Sequence, residues 1–142
     1  MPAIPPAVEE VVESGRLAHL VTLNPDGSPQ VTCVWVGVDG DEIVVAHLGS
    51  GQKVKNAERD ARVSLSIETD AENPMGLTEY LVVYGRARVT QGGAAELLQH
   101  LAHRYMGPDV KFPPMDNPPP GRILHIQPER YAGVGPWSGS AT

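Results

Sequence analysis

The residues best placed to do chemistry lie in one stretch, Gly49-Ser50-Gly51-Gln52-Lys53-Val54-Lys55-Asn56-Ala57-Glu58-Arg59-Asp60-Ala61-Arg62. Ser50 is a good helix N-cap, so a first turn beginning at Gly51 and Gln52 leaves several backbone N–H groups without intrahelical partners. Lys53 stands at the third position of that turn, where a capping box would carry Glu or Gln and where the helix dipole favours a carboxylate. A bound phosphate resolves the conflict, because the free N–H donors and the ammonium then converge on one anion. The other reading is a solvated lysine, which costs roughly a few tenths of a kcal/mol at a helix start.

Other chemistries find less support. His19, His47, His100, His103 and His125 lie on different segments except for His100 and His103, three apart on one helix, and no Cys or carboxylate set completes a zinc spacing. No metal is expected. Cys33, flanked by Val31, Val34 and Trp35 in a strand, reads as an inert core thiol. There is no Gly-x-Ser-x-Gly elbow, no Walker lysine motif and no dinucleotide fingerprint. If the chain is an enzyme, a cofactor carries the reaction.

Composition narrows the partners. A net charge of −6 argues against broad binding to nucleic acid or to an anionic membrane, although Lys53, Lys55, Arg59 and Arg62 cluster locally. Aromatic residues, at 5%, are too few for a reader of single strands by stacking. One cysteine allows no internal disulfide, no apolar run is long enough to span a bilayer, and Met1-Pro2-Ala3-Ile4-Pro5-Pro6 lacks the pattern of a signal peptide. The expectation is a cytoplasmic protein of one domain, residues 1–142, with an N-terminal helix within 1–15 and a flexible tail at 138–142.

The elements that must position this stretch follow from periodicity. Pro5 to Ser14 reads as a short amphipathic helix closed by Gly15. Arg16–Leu23, Pro29–Val38 and Glu42–Leu48, separated by Asn24-Pro25-Asp26-Gly27-Ser28 and Asp39-Gly40, read as a three-stranded antiparallel meander. After the Ser50 helix come a strand at Arg62–Glu68, a loop at Asp70–Gly76 and a long strand at Thr78–Thr90. The long strand presents Leu81, Val83, Gly85, Ala87 and Val89 on one face and Tyr80, Val82, Tyr84, Arg86 and Arg88 on the other. Apolar groups on both faces point to a homodimer packed there, or to a second layer from a helix of the same chain. Ala94–Tyr105 is a helix with Leu97, Leu98, Leu101 and Tyr105 in one stripe, the proline-rich 112–120 is an extended connection, and Arg122–Gln127 is the final strand. Six strands with three short helices define a mainly β fold, a small antiparallel barrel with helices on its flank.

The order of Leu20-Val21-Thr22-Leu23, Asp26-Gly27-Ser28-Pro29-Gln30-Val31-Thr32, Ile43-Val44-Val45-Ala46, Lys53-Val54-Lys55-Asn56-Ala57 and Asp60-Ala61-Arg62-Val63 resembles the pyridoxamine phosphate oxidase-like split β-barrel superfamily. Pro128-Glu129-Arg130 and Gly135-Pro136-Trp137 are most similar to its small members that use the deazaflavin coenzyme F-420 in place of FMN. The resemblance runs from Ala7 to Trp137 and implies a six-stranded FMN-binding-like split barrel, a homodimer with cofactor sites at the subunit interface, and an oxidoreductase that passes a hydride from reduced F-420 to an unsaturated or quinone-like small molecule. An FMN-dependent oxidoreductase and a non-catalytic carrier of flavin or deazaflavin are the alternatives.

The resemblance also implies a site. Thr32, Cys33, Val34 and Trp35 would line the ring, Ala46 and His47 would pass beneath it, and Ser50, Gln52 and Lys53 would hold the phosphate. Asn56 matches a helix asparagine that ties the helix to a neighbouring loop. Relatives often carry arginine where this chain has Gly51, which implies either a lower phosphate affinity or Lys55 as a compensating charge. Trp35, Tyr80 and Trp137 would shape the substrate pocket, Trp137 coming from the partner subunit. His47 is open to two roles, proton donor or satisfied core group.

Overall fold

The computed structural model describes residues 3–49 and 51–138. Ser50, and all of the expected tail except Ser138, lie outside the described residues. Three helices, α1 (Pro6–Val12), α2 (Gln52–Arg59) and α3 (Ala94–Tyr105), accompany seven strands: β1 (Ala18–Leu23), β2 (Pro29–Val34), β3 (Gly37–Asp39), β4 (Glu42–His47), β5 (Arg62–Glu72), β6 (Thr78–Gln91) and β7 (Arg122–Val134). All the strands belong to one antiparallel sheet in the order β2-β1-β5-β6-β7-β4-β3.

This corrects two expectations. Among the described residues the sheet has seven strands and is open in its hydrogen bonding, whereas a six-stranded split barrel was expected. The three-stranded meander does not form, because Pro29–Val38 breaks after Val34: β2 pairs with β1, β3 pairs with β4, and β4 takes β7 as its second neighbour. Consecutive strands β2 and β3 thus lie at opposite ends of the sheet order. Only Trp35 and Val36 join them, and three Cα steps reach at most about 11 Å. The sheet must therefore curl until its two edges face one another across that link.

Side-chain alternation then separates inside from outside. One inner row runs Thr32, Leu20, Leu65, Val83 and Tyr131 across five strands, and Leu20, Leu65 and Val83 are at most 2% exposed. With Ile43, Ile67, Leu81, Leu124 and Ile126 they make the core, each fully buried side chain contributing about 1.5–3 kcal/mol. Val8, Val11 and Val12 of α1 join it at helical spacing.

The last strand runs past its expected end at Gln127 to Val134. Proline is tolerated there because the register shifts between Tyr84 and Gly85, whose partners are Arg130 and Pro128. Gly85 is what permits that shift: a Cβ on it would stand 2.4 Å from the Gln127 carbonyl oxygen.

Candidate active site

The break between β2 and β3 leaves the Val36 N–H outside any ladder, although Val36 is fully buried. Tyr105, at the end of α3, satisfies it: the Val36 N–H donates to the Tyr105 hydroxyl at 3.0 Å, and that hydroxyl donates to the Arg16 carbonyl at 2.9 Å. Burial pushes the Tyr105 phenol up from its usual value, against the Val36 hydrogen bond. Its ring stacks on Trp35, with centroids 5.3 Å apart and planes within 13°. The residue that bridges the two sheet edges is thereby held from α3.

Beside this bridge is an open cavity of about 190 Å³. Cys33 and Val34 line it from β2, Trp35 from the link, Ala46 from β4, Lys53 from α2, Leu98 from α3 and Phe112 from the proline-rich connection. The site is thus assembled where the two sheet edges meet.

The start of α2 differs in one respect from expectation. The N-cap is Gly51, in extended backbone and with no side-chain cap, so Lys53 falls in the first turn as its second residue. The Gly51 N–H donates to Nε2 of His47, 3.1 Å away at the end of β4. An accepting Nε2 carries no hydrogen, so the neutral ring holds its proton on Nδ1. Burial, and secondly the Lys53 ammonium, keep His47 below the usual imidazole value. Glycine is required by this contact: a Cβ at residue 51 would sit 2.9 Å from Nε2. An arginine there would have to displace His47.

Lys53 is half-buried, and burial lowers its ammonium from the usual lysine value. No carboxylate pairs with it among the described residues. Lys55 is two residues on, about 200° around the helix, and is exposed away from the cavity.

Behind the first turn, Asn56 is fully buried. Its Nδ2 shares two hydrogens among Thr22 Oγ1, Asn24 Oδ1 and Gln30 Oε1, at 3.0–3.1 Å. Its Oδ1 accepts from Gln52 Nε2 at 2.8 Å and Arg59 Nη1 at 3.3 Å. Arg59 also donates to the Leu23 carbonyl. Thr22 and Gln30 face each other on the inner side of β1 and β2, so one amide fastens the lysine-bearing helix to the hairpin that carries Cys33.

Of the expected site residues, the structure brings Cys33, Val34, Trp35, Ala46 and Lys53 to one cavity and sets His47 and Gly51 beside it. Cys33 is exposed, not a core thiol, because its odd position on β2 puts it on the outer side with Val31. Thr32 points inward, its Oγ1 buried with no partner among the described residues. Trp137 is 4% exposed and packs in the core, its Nε1 donating to the Tyr80 carbonyl at 3.3 Å. It lines a cavity with α1 and Glu79, whereas Trp35 lines the one that Lys53 faces. Leu98, Tyr105 and Phe112 were not anticipated here. Leu98 and Tyr105 carried a signal, as members of one helical stripe; Phe112 carried none.

Among solved structures, an F420 reductase is 27% identical, with a TM-score of 0.70 over 91% of this chain and 98% of that one. A conserved hypothetical protein of Mycobacterium tuberculosis shares 23% identity (TM-score 0.69; 96% and 86% covered). An FMN-binding protein of Syntrophomonas wolfei shares 12% (TM-score 0.65; 89% and 83% covered), a likeness of fold alone. No curated protein matches the chain. Residues 4–135, nearly the whole sequence, match the family model described as pyridoxamine 5'-phosphate oxidase, and the chain belongs to that family.

Proposed function

We propose that the protein is an oxidoreductase that uses reduced deazaflavin coenzyme F-420 to deliver a hydride to an unsaturated or quinone-like small molecule, and that it works as a homodimer. The observation that carries this is Lys53: a half-buried cation with no carboxylate partner among the described residues, at a helix start and facing a cavity walled by Trp35 and Phe112. Its chemistry fits a phosphate-bearing ring cofactor, since the first-turn N–H groups and the ammonium suit the anion and the apolar wall suits the ring. The structural likeness to an F420 reductase at 27% identity favours the deazaflavin over FMN.

When bound, the coenzyme supplies the hydride. The chain's own tasks are to hold the phosphate through Lys53 and the start of α2, to present one ring face along Cys33, Val34 and Trp35, and to keep water from the apolar side. His47, with its proton on Nδ1, is a donor of one hydrogen bond and is not a strong acid.

Two features support the homodimer. The cavity of about 190 Å³ is open to solvent and smaller than the roughly 300–1,000 Å³ of ligand sites, so a second subunit has room to extend and close it. On the outer face, the cross-strand row Val31, Val21, Ser64, Tyr84 and Arg130 leaves Val31 58% and Tyr84 39% exposed, large apolar side chains of the kind that partners cover. Equilibrium titration of the protein with F-420 and with FMN tests the reading. Tighter binding of F-420 is expected, and tighter binding of FMN would overturn it. Lys53→Ala should weaken F-420 by about 1.5–3 kcal/mol, the worth of a hydrogen bond to a charged group.

A further inference from the structure

Helix α1 packs against β5 where that strand and β6 leave regular pairing. The register steps from Glu68 opposite Tyr80 to Glu72 opposite Thr78, so residues 69–71 of β5 stand against Glu79 alone. Such a bulge bends its strand and re-aims the side chains on it. Beside it lies a half-enclosed cavity of about 190 Å³, which shares no lining residue with the one that Lys53 faces. Val11 and Trp137, both buried, supply apolar lining. One six-membered ring fits such a space, since an apolar cavity of about 150 Å³ holds benzene.

The charges around this cavity do not balance. Glu10 of α1 and Glu79 of β6 both line it, and no cation pairs with either carboxylate among the described residues. Arg16 also lines it, but its guanidinium is taken by Asp70 at 3.4 Å. Glu79 is half-buried and its backbone is pinned: the Thr69 hydroxyl donates to its carbonyl at 2.8 Å and accepts the Ala71 N–H at 3.1 Å. Carboxylates without partners beside an apolar recess are complementary to a cation with an apolar body. A neutral ring gains the apolar contact alone, and an anion is repelled.

We propose that this cavity is a second binding site, for a small organic ammonium carrying one flat ring, an arylalkylamine whose ring enters against Val11 and Trp137 and whose charge is met by Glu10 and Glu79. The proposal is independent of the cofactor reading above.

The test uses 2-phenylethylammonium, 2-phenylethanol and 3-phenylpropanoate, which present one ring with a cationic, a neutral and an anionic end. Each is titrated into the full chain at neutral pH and followed by two-dimensional NMR. The ammonium should shift the Ala71 amide and the Trp137 indole N–H, leave the Lys53 amide in place, and bind about fivefold or more tighter than the alcohol. The propanoate should not bind. Glu79→Gln should raise the Kd of the ammonium about three- to tenfold and the more exposed Glu10→Gln about two- to fivefold, with the alcohol unmoved in both. No binding of the ammonium, equal affinity for ammonium and alcohol, shifts confined to the cavity that Lys53 faces, or unaltered affinity in both variants would each overturn the proposal. F-420 should bind both variants as it binds the unaltered chain, and its failure to bind at all would refute the cofactor reading while leaving the ammonium titration intact.

Discussion

Replacing Asn56 by leucine keeps the branching and heavy-atom count of the side chain and removes all five of its hydrogen bonds, three of which fasten α2 to the β1–β2 hairpin. Five partners lose their bond, and they are not equal. Gln52 and Arg59 are exposed and turn to water, while Thr22 is 1% exposed and has none to turn to. Leaving that hydroxyl unsatisfied costs about 1–3 kcal/mol. Asn24 and Gln30 are half-buried and add about half as much each, so the expected loss is roughly 2–6 kcal/mol, a large share of an ordinary domain's stability of about 5–15 kcal/mol. Urea denaturation at one fixed protein concentration measures it, with the midpoint falling and the m-value unchanged. A double-mutant cycle with Thr22→Val sharpens the test. Valine should be destabilising alone and neutral or stabilising beside leucine, because the orphaned hydroxyl is then gone. Additive losses would show that Thr22 and Asn56 are not energetically coupled and would refute the reasoning.

Other substitutions probe the site. Tyr105→Phe should cost about 1–3 kcal/mol by stranding the buried Val36 N–H, measured by thermal melting, while the ring stack on Trp35 persists in the tryptophan fluorescence. Gly51→Ala should push His47 from its place, losing about 0.5–1.5 kcal/mol with the hydrogen bond, and its imidazole should titrate nearer 6.5 by NMR. In the unaltered protein, His47 should titrate below 6.5. Folding favours its neutral form, so that contribution to stability is complete above 6.5 and is lost as the pH falls through the lower folded value. Sulfate, whose charge is constant over that range, should raise the His47 midpoint; an unmoved midpoint would place the anion elsewhere.

The sequence was legible where local periodicity and global fold agree. Helix α3 has the bounds its leucine stripe indicates, and the inner face of β6 is the row of alternate residues read from its pattern. It was opaque where a tertiary contact overrides the pattern. Pro29–Val38 contains no breaker until Gly37, and the partner that takes the Val36 N–H once β2 has ended is a hydroxyl from Tyr105, far away in sequence. Cys33 was assigned to the core because its neighbours are apolar, yet it shares the outer side of β2 with Val31, which is apolar and exposed as well. The lysine-bearing turn was found from helix-start chemistry alone, but Gly51 was explained only once His47 stood beside it. Phe112 could not be placed, because nothing in a proline-rich run says which helix will grip it.

The position of β7 between β6 and β4 has a consequence for how the molecule comes into being on a ribosome. Residues 43–47 find their second sheet neighbour in 122–126, so the hairpin of β3 and β4 emerges long before the strand that ties it to the rest. Until β7 arrives, Ala46 and His47 sit on a two-stranded ribbon, which is marginal by itself in water. Pairings so distant in sequence form late. The nascent chain therefore cannot assemble the cavity shared by Ala46 and Lys53 early: that cavity matures last, and a ligand that fills it would report on completed protein only.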